Sequence, residues 1–375
     1  MKIPIAKPYL TEDEAQNAYD TILSGWVTQG PRVAEFEEKF AAYVGSKYAV
    51  AVSNCTTALQ LSLQVAGIGS GDEVICPSMS FIATANSIKN VGATPVFAEV
   101  GTDYNLDVKH VESLINDKTK AILLVHQIGM PADIDAFTTL CKKHDIKLVE
   151  DAACAIGSSY KEAKIGSHSD LVCFSFHPRK VITTGDGGMI TTSNEQYNER
   201  LRLLRQHGMS VNDRARHLSK TVITEQYLEV GYNFRMTDVQ AAMGIQQLGK
   251  LDWLVEERKK IAARYNEAFK EIDFITLPVE LENCSSNYQS YSITLGAKCP
   301  IKRDKMMQQF LDKGVATRRG VMVSHLEPAY KDHPAENLLK SEELSANSIL
   351  LPLYVPMSEE EVNYVINSVI KVMNG

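Results

Sequence analysis

Between residues 47 and 192, short apolar runs alternate with segments of helical pattern, and this alternation constrains the fold more than any other feature of the sequence. The runs are rich in Val, Ile and Leu and show little polar alternation, which is typical of strands covered on both faces. They are "YAVAVS" (48–53), "DEVICPS", "TPVFAEV", "KAILLVHQIG", "DIKLVEDAA" and "SDLVCFSFH". The pattern predicts an α/β fold with a mostly parallel central sheet, in which ligands gather at the carboxyl ends of the strands.

The second half of the sequence is helical at first and then mixed. Helical patterns cover "EQYNERLRLLRQHG" and a longer run over 236–272, in which four apolar residues fit one buried face: Leu248, Leu251, Leu254 and Val255. From about Phe274 a smaller α+β unit follows, with a strand in "NYQSYSITLG" and a helix in "IKRDKMMQQFLDKG". We predict a large α/β domain over residues 1–255, which includes the N-terminal segment, and a small C-terminal domain over 256–375.

The bulk properties exclude several classes of protein. The 375 residues are 44% hydrophobic and 23% charged, a globular composition. The net charge is −7 and no block of Lys or Arg stands out, so a nucleic-acid partner is not expected. We expect neither a signal peptide nor a membrane span, because no apolar run has the required length or position. Seven scattered cysteines without a CxxC pair predict free thiols in a reducing cytoplasm and no metal site.

Lys180 lies between a run that reads as a buried strand, "LVCFSFH", and the loop-like "TTGDGG". Most lysines are solvated surface groups, and this one has that ordinary interpretation. The alternative is a lysine desolvated at the exit of the strand. Desolvation lowers the pKa of an amine and makes it a usable nucleophile toward carbonyl groups.

Three other sites lie at predicted strand ends, and each has two interpretations. Asp151 ends the strand in "KLVEDAACAIGS" and is either the N-cap of a helix or a buried carboxylate that pairs with a cationic ring nitrogen, as pyridoxal phosphate enzymes require. The segment "SNCTTAL" (53–59) is either a helix cap or a phosphate site at a helix N-terminus. Phe81 belongs either to the core or to a surface that stacks on a flat ring. A dinucleotide-dependent oxidoreductase is disfavoured, because no GxGxxG or P-loop pattern is present.

Taken together, "EDAAC", "SFHPRKVITTGDGGMI" and "GYNFRMTDVQAA" resemble the sugar aminotransferases of the DegT/DnrJ/EryC1/StrS family, which are fold-type I pyridoxal phosphate enzymes. The resemblance covers nearly the whole chain and includes "IPIAKPYLTEDE", "SGWVTQGPRVAEFEEKFA" and "HQIGMPADID". It implies that the large domain binds pyridoxal 5′-phosphate and that a homodimer shares its active sites. It also implies transfer of the amino group of L-glutamate to a nucleotide-linked keto sugar, most simply a 4-keto-6-deoxy sugar. The product would be a 4-amino-4,6-dideoxy sugar for a surface polysaccharide or glycan, such as an O-antigen.

The resemblance also implies roles for individual residues. Lys180 is expected to bond to the cofactor and to act as the base, Asp151 to hold the pyridine nitrogen, and Phe81 to stack on the ring. The remaining expected cofactor contacts are Thr56, Thr57 and Ser175 on the phosphate, Cys154 near the ring hydroxyl, His177 beside the lysine, and Asn233, which would reach the phosphate of the neighbouring subunit's cofactor. The expected substrate contacts are Trp26, Thr28, Arg318, Arg319 and His325, with the two arginines on a pyrophosphate.

The sequence departs from the family pattern at two positions and leaves the substrate open. Cys55 stands where the family often has Gly, and Cys154 where it often has Gln or His. The lysine at position 180 favours transamination, since a dehydratase subgroup has histidine there. An aminotransferase for a 3-keto sugar or a keto-inositol is the alternative, which the sequence does not separate cleanly from the favoured 4-keto sugar enzyme. A non-catalytic regulator that binds the cofactor is disfavoured by the intact Lys180 and Asp151. The nucleotide (UDP, GDP or dTDP), the aminated carbon and its stereochemistry are not specified by the sequence.

Overall fold

A computed structural model describes residues 1–211, 219–333, 335 and 337–373. The chain opens with helices α1 (Glu12–Leu23) and α2 (Pro31–Val44). The predicted alternation follows as β1 (Tyr48–Val52), α3 (Cys55–Val65), β2 (Glu73–Pro77), α4 (Ala83–Asn90), β3 (Thr94–Ala98), α5 (Val108–Leu114), β4 (Thr119–Val125), α6 (Ile134–His144) and β5 (Lys147–Asp151). The short strands β6 (Ser159–Tyr160) and β7 (Ala163–Lys164) then precede β8 (Val172–Ser175), β9 (Gly188–Thr192) and α7 (Glu195–Leu204).

Seven strands form the central sheet in the order β1-β9-β8-β5-β4-β2-β3. The contiguous strands β8, β5, β4, β2 and β3 pair in parallel, and β9 runs antiparallel to both of its neighbours. The predicted α/β fold with a mostly parallel sheet is therefore confirmed. The sequence analysis does not identify β9, whose five residues directly follow a glycine-rich loop.

Both faces of the sheet are covered, as the unbroken apolar runs predict. Phe174 of β8 packs on Phe40 of α2, with ring centroids 5.0 Å apart. Its neighbour Cys173 points to the opposite face and belongs to a core cluster that includes Leu59 and Leu63 of α3. Successive residues of a strand point to opposite faces, so a strand buried on both sides needs apolar residues at every position.

The long helical run is divided into two helices, α8 (Asp238–Gly249) and α9 (Leu251–Phe269), with Lys250 between them. α8 ends at Gly249, and glycine weakens a helix because its backbone loses more conformational freedom there than that of other residues. The predicted buried face is confirmed across both helices, because its four apolar residues are at most 9% exposed: Leu248, Leu251, Leu254 and Val255.

The C-terminal elements form a second, four-stranded sheet. Its strands are β10 (Ile275–Thr276), β12 (Tyr291–Leu295), β13 (Arg318–Arg319) and β14 (Ser348–Leu351), in the order β10-β12-β14-β13, and β11 (Cys284–Ser285) pairs with β6 instead. Helices α10 (Arg303–Asp312), α11 (Leu339–Asn347) and α12 (Glu359–Met373) complete this part. The predicted helix over "IKRDKMMQQFLDKG" is confirmed, whereas the strand in "NYQSYSITLG" occupies only the second half of that segment.

The division into domains of residues 1–255 and 256–375 stays a prediction. The proposed boundary falls inside α9, and parts of both ranges (212–218, 334, 336 and 374–375) lie outside the described residues. Within the described part of the chain, no helix is both long and apolar enough to cross a membrane.

Glu14 connects α1 to the junction between α8 and α9. Its carboxylate accepts hydrogen bonds from Lys250 Nζ, Gln247 Nε2 and the backbone N–H of Thr11, each 2.8 Å long. Burial alone would raise the pKa of Glu14, but these donors outweigh it and lower the pKa to about 2. The charged carboxylate therefore stabilises the fold above pH 4.5, and this contribution is lost as the pH falls toward 2.

We expect Glu14→Gln to lower the free energy of unfolding at pH 7 by about 1–3 kcal/mol, since it leaves Lys250 without its buried partner. Urea denaturation at a series of pH values measures this effect. The difference from wild type should shrink as the pH falls from 4.5 toward 2, and Glu12→Gln, on the exposed side of the same helix turn, should change little. A difference that stays constant over this pH range would contradict the assignment.

Candidate active site

The carboxyl ends of the parallel strands bring several polar residues to one edge of the central sheet. Four of them follow or end β2, β4, β5 and β8: Ser78, His126, Asp151 and Ser175. β1 runs in the same direction as β8, because β9 lies antiparallel between them, so the N-terminus of α3 also faces this edge. A ligand site at this edge is the arrangement that an open α/β sheet favours.

Asp151 is a buried carboxylate, only 6% exposed, at the end of β5. It accepts hydrogen bonds from Thr84 Oγ1 of α4 and from the backbone N–H of Ala153, both 3.1 Å long. Residues 152–157 form turns, so the interpretation of Asp151 as a helix N-cap is wrong. Burial raises the pKa of Asp151 above its usual value, although the Ala153 N–H and the charge of Lys180 act in the opposite direction.

Lys180 ends a tight turn in which its N–H donates to the carbonyl of His177 over 2.8 Å. Pro178 occupies the second position of this turn, where its fixed φ is favourable. The side chain is partly buried and its Nζ lies 3.1 Å from Cys154 Sγ, so the interpretation as a solvated surface lysine is wrong.

The predicted decrease in the pKa of Lys180 is also wrong for the protein without a ligand. Burial does lower the pKa of the amine, but Cys154, Asp151 and Cys55 outweigh it. The pKa of Lys180 therefore lies above its usual value. The apolar run before Lys180 predicts its burial, whereas the groups that raise its pKa come from two other segments, one with Cys55 and one with Asp151 and Cys154.

The N-terminus of α3 is capped and yet keeps free donors. Asn54 Oδ1 accepts the N–H of Thr57 over 2.9 Å, and Thr57 Oγ1 donates to the Asn54 carbonyl over 2.8 Å, which confirms the cap in "SNCTTAL". The N–H groups of Cys55 and Thr56 precede the first intrahelical bonds and remain available. Because the helix dipole adds a partial positive charge, this end of α3 suits a phosphate.

β9 approaches this helix end closely, which places Ser175 beside it. Gly188 pairs with Ser175 across the β8–β9 ladder, and a Cβ at Gly188 would lie 2.5 Å from the carbonyl atoms of Asn54. Only glycine permits this contact. Ser175 is 7% exposed, and its Oγ accepts the N–H of His177 over 3.4 Å.

Phe81 is 69% exposed in the single chain, so the interpretation as a core residue is wrong. It lies between β2 and α4, three residues before Thr84, whose hydroxyl donates to Asp151. The phenyl ring is therefore a free apolar surface close to the buried carboxylate.

A buried pair next to Asp151 is absent from the sequence prediction. His126 is fully buried; its Nδ1 accepts the N–H of Ala132 over 3.0 Å, so Nε2 carries the proton and donates to Glu150 Oε2 over 2.9 Å. The backbone N–H of His126 donates to the Asp151 carbonyl over 3.1 Å. The pair fixes the ends of β4 and β5, and its sequence signal is a polar residue at the end of each of two apolar runs, His126 in one and Glu150 in the other.

Asn233 is exposed, and its Oδ1 accepts a hydrogen bond of 3.2 Å from Arg235 Nε. The next residue, Phe234, accepts the N–H of Ser53 through its carbonyl over 2.8 Å. The segment "GYNFRM" therefore lies beside the N-terminus of α3 in its own chain.

Trp26 and Thr28 lie in the loop that precedes α2. The Thr28 carbonyl accepts the N–H of Asp238 over 2.9 Å. The Asp238 carboxylate in turn accepts N–H groups at the start of α2, including that of Gly30 at 2.7 Å. These hydrogen bonds with Asp238 fix the loop, while Thr28 itself stays exposed.

Arg318 and Arg319 are exposed on β13. Burial and the positive charges of Arg179 and Arg319 lower the pKa of Arg318, which indicates that these cations lie near one another. Arg179 precedes Lys180 directly, so a cationic surface adjoins the lysine. The sequence analysis does not identify Arg179.

His325 has partners for both ring nitrogens. Nδ1 pairs with the hydroxyl of Ser78, and Nε2 lies 3.1 Å from Glu342 Oε1. A contact from His325 to a substrate would therefore require one of these partners to be released. Among the residues that the structure describes, no cluster of His, Cys, Asp and Glu could hold a metal ion.

Comparison with known proteins gives consistent matches over the full length. A model of the DegT/DnrJ/EryC1/StrS aminotransferase family matches residues 8–370. The spore coat polysaccharide biosynthesis protein SpsC of Bacillus subtilis is 36% identical over 385 residues, covering 100% of this chain and 97% of SpsC. The structure of a putative sugar aminotransferase, Spr1654 of Streptococcus pneumoniae, in its PMP form has a TM-score of 0.94 and 30% identity, covering 100% of this chain and 99% of that one. PseC of Helicobacter pylori, an aminotransferase of pseudaminic acid biosynthesis, has a TM-score of 0.93, 29% identity and full coverage of both chains.

Proposed function

Because the chain belongs to the DegT/DnrJ/EryC1/StrS aminotransferase family, we propose that it transfers the amino group of L-glutamate to a nucleotide-linked 4-keto-6-deoxy sugar. The product is then a 4-amino-4,6-dideoxy sugar, and the second product is 2-oxoglutarate. The protein is a sugar aminotransferase, and its cofactor is pyridoxal 5′-phosphate.

The residues at the sheet edge fit this cofactor. The N–H groups of Cys55 and Thr56, with Ser175 beside them, suit its phosphate. The buried Asp151 suits its cationic ring nitrogen, and Lys180 Nζ offers an amine in the same cluster. The observation that carries the proposal is this combination of a partly buried amine and a buried carboxylate, close enough to influence each other's pKa.

The bound cofactor supplies an electron sink for the charge that develops when a C–H bond next to an amine is broken. Asp151 would hold the pyridine nitrogen in its protonated state, since a buried carboxylate favours a cationic partner. Lys180 Nζ accepts the proton from Cα of the amino donor and later returns a proton to the sugar carbon that receives the amine. His177 lies in the turn of Lys180 and limits the orientations of that turn.

Two observations support a nucleotide sugar as the amine acceptor. Arg179 directly precedes Lys180 and its charge acts on Arg318, whose neighbour Arg319 lies 3.7 Å from Glu327; guanidinium groups bind diphosphate oxygens well. SpsC and PseC carry names from polysaccharide and pseudaminic acid biosynthesis, which favours a product destined for a surface polysaccharide or glycan.

A homodimer is part of the proposal, with Asn233 of each subunit directed to the cofactor phosphate of the other. The exposed side chain of Asn233 leaves room for such a contact, and the exposed apolar residues Tyr19, Ile22 and Leu23 of α1 offer a surface for a second copy of the chain. A cytoplasmic location stays a prediction from the cysteine content.

A substrate panel tests the proposed reaction. The purified enzyme is incubated with L-glutamate and one acceptor at a time, and the formation of 2-oxoglutarate is measured. The acceptors are 4-keto-6-deoxy sugars linked to UDP, GDP or dTDP, 3-keto nucleotide sugars and a keto-inositol. The proposal predicts the highest kcat/KM with a 4-keto-6-deoxy sugar; a higher value with a 3-keto sugar or keto-inositol would contradict it. Cofactor binding without any turnover would favour a regulator instead.

Gly188→Ala should weaken cofactor binding, because the new methyl group would collide with the carbonyl of Asn54 and displace the N-terminus of α3. We expect the Kd for pyridoxal phosphate to rise about tenfold, since overpacking costs about 1–3 kcal/mol. Titration of the cofactor-free enzyme, followed by absorbance, measures the Kd. Gly249→Ala is the matched control, because a Cβ at that position has no atom within 4 Å. Equal Kd values for the two variants would contradict a phosphate site at this helix end.

A further inference from the structure

The segment 287–289, between β11 and β12, contacts both loops that bring Cys154 and Lys180 together. Asn287 is fully buried, and its Nδ2 donates to the carbonyls of Cys154 and Ile156, both over 2.8 Å. Its backbone N–H donates to Ser158 Oγ over 3.0 Å. Asn287 therefore holds the loop that carries Cys154.

Gln289 reaches the other loop. Its Nε2 donates to the carbonyl of Arg179, the residue before Lys180, over 3.0 Å. The backbone N–H of Gln289 donates to Asn287 Oδ1 over 2.8 Å, so the Asn287 side chain fixes the backbone of Gln289. Asn287 and Gln289 therefore connect the loop that carries Cys154 with the turn that carries Lys180.

The backbone of this segment is strained and held in place. Tyr288 has a φ of +46°, in the left-handed region that non-glycine residues rarely adopt. Arg258 of α9, only 4% exposed, donates through Nη1 to the carbonyls of Tyr288 at 3.1 Å and Gln289 at 3.2 Å. Burial lowers the pKa of Arg258 to about 10, so the guanidinium is still charged at neutral pH and binds these two carbonyls as a buried cation.

A close approach from the other side also restricts Asn287. A Cβ at Gly129 would lie 2.0 Å from Asn287 Oδ1, so position 129 must be glycine for the amide to fit. Backbone strain that the surroundings enforce is found at functional sites, where it fixes a geometry that the chain alone would not adopt.

We infer that Gln289 is a positioning residue for Lys180, and that Asn287 and Arg258 hold Gln289 in the required place. Through the Arg179 carbonyl, Gln289 fixes the turn 177–180 and with it the direction of the lysine side chain. The inference rests on the proposed role of Lys180 as the amine that bonds to the cofactor and moves the proton.

The test compares Gln289→Leu, which lacks the donor, with Gln289→His, which retains an N–H at a similar reach. Gln308→Leu is the matched control, because that exposed glutamine on α10 bonds only to Asp312 among the described residues. The first readout is a pH titration of the visible absorption band of the holoenzyme. The groups that face Lys180 are Asp151, Cys55, Cys154 and His177, and all four are unchanged in these variants.

We expect the midpoint of the titration to move by about one pH unit in Gln289→Leu, and kcat to fall about tenfold with the KM for the amino donor nearly unchanged. Gln289→His should restore both values, and Gln308→Leu should match wild type. A Gln289→Leu enzyme that melts at a lower temperature but keeps the wild-type midpoint and kcat would overturn the inference. Failure of the proposed bond between Lys180 and the cofactor is distinguishable, because the wild-type holoenzyme would then lack the visible band.

Discussion

The Lys180→Ala enzyme is expected to be colourless and to lose transamination. Without the amine, no covalent bond to the cofactor aldehyde forms, and the base that moves the proton is lost. Loss of the proton-transfer role alone should lower kcat by about 10²–10⁴-fold. The absorbance spectrum after incubation with pyridoxal phosphate and removal of the excess measures the first effect, and release of 2-oxoglutarate from L-glutamate measures the second.

Two further variants distinguish the loss of the reactive amine from the loss of a positive charge and from a general disruption of the structure. Lys180→Arg retains a cation in the cluster but has no nucleophilic amine, so it should be colourless as well. Lys164→Ala removes a half-exposed lysine that pairs with Asp252 far along the chain, and it should keep the visible band. A yellow, active Lys180→Ala enzyme would contradict the role of this residue.

Asp151→Asn is expected to lower kcat by about 10²–10³-fold while the cofactor remains bound. The amide has nearly the shape of the carboxylate and lacks its charge, so the ring nitrogen is no longer held in its protonated state. The phosphate contacts at the N-terminus of α3 are unaffected. Steady-state kinetics with L-glutamate and a keto-sugar acceptor measure the effect, and a kcat within twofold of wild type would contradict the assignment.

The same substitution should stabilise the cofactor-free protein. Burial raises the pKa of Asp151, so the folded state binds this proton more tightly than the unfolded chain does. The ionised carboxylate therefore destabilises the fold, increasingly as the pH rises from about 3.8 through the raised pKa. The Tm of cofactor-free Asp151→Asn should exceed that of wild type by about 1–4 °C at neutral pH, and the difference should vanish in acid. A lower Tm for the variant at neutral pH would show that the charge stabilises the fold.

The sequence predicted the central sheet and the edge that carries the site. The apolar runs have no polar alternation because both faces of the sheet are covered, and a polar residue at the end of such a run is easily recognised. Asp151 and Lys180 stand out for this reason. β9 could not be identified in the same way, since it begins inside the glycine-rich loop at Gly188, and the close packing of Gly188 against Asn54 joins residues that are distant in sequence.

Long-range contacts account for what the sequence analysis missed. The segment around Tyr288 reads as the start of a strand, but Arg258 and Asn287 hold it in a left-handed loop, and the strand begins only at Tyr291. The pKa of Lys180 depends on Cys154 and Cys55, which no spacing rule places beside it. The pKa of a buried group and the conformation of a loop depend on all of their neighbours, and those neighbours are defined only in the folded chain.

The most direct test of the account is to identify the side chain that bonds to the cofactor. The holoenzyme is reduced with borohydride, which makes the bond to the cofactor permanent, and is then digested and mapped by mass spectrometry. The account predicts a single labelled peptide with the cofactor on Lys180. A label on another lysine, or no label on an enzyme that still turns over, would contradict it.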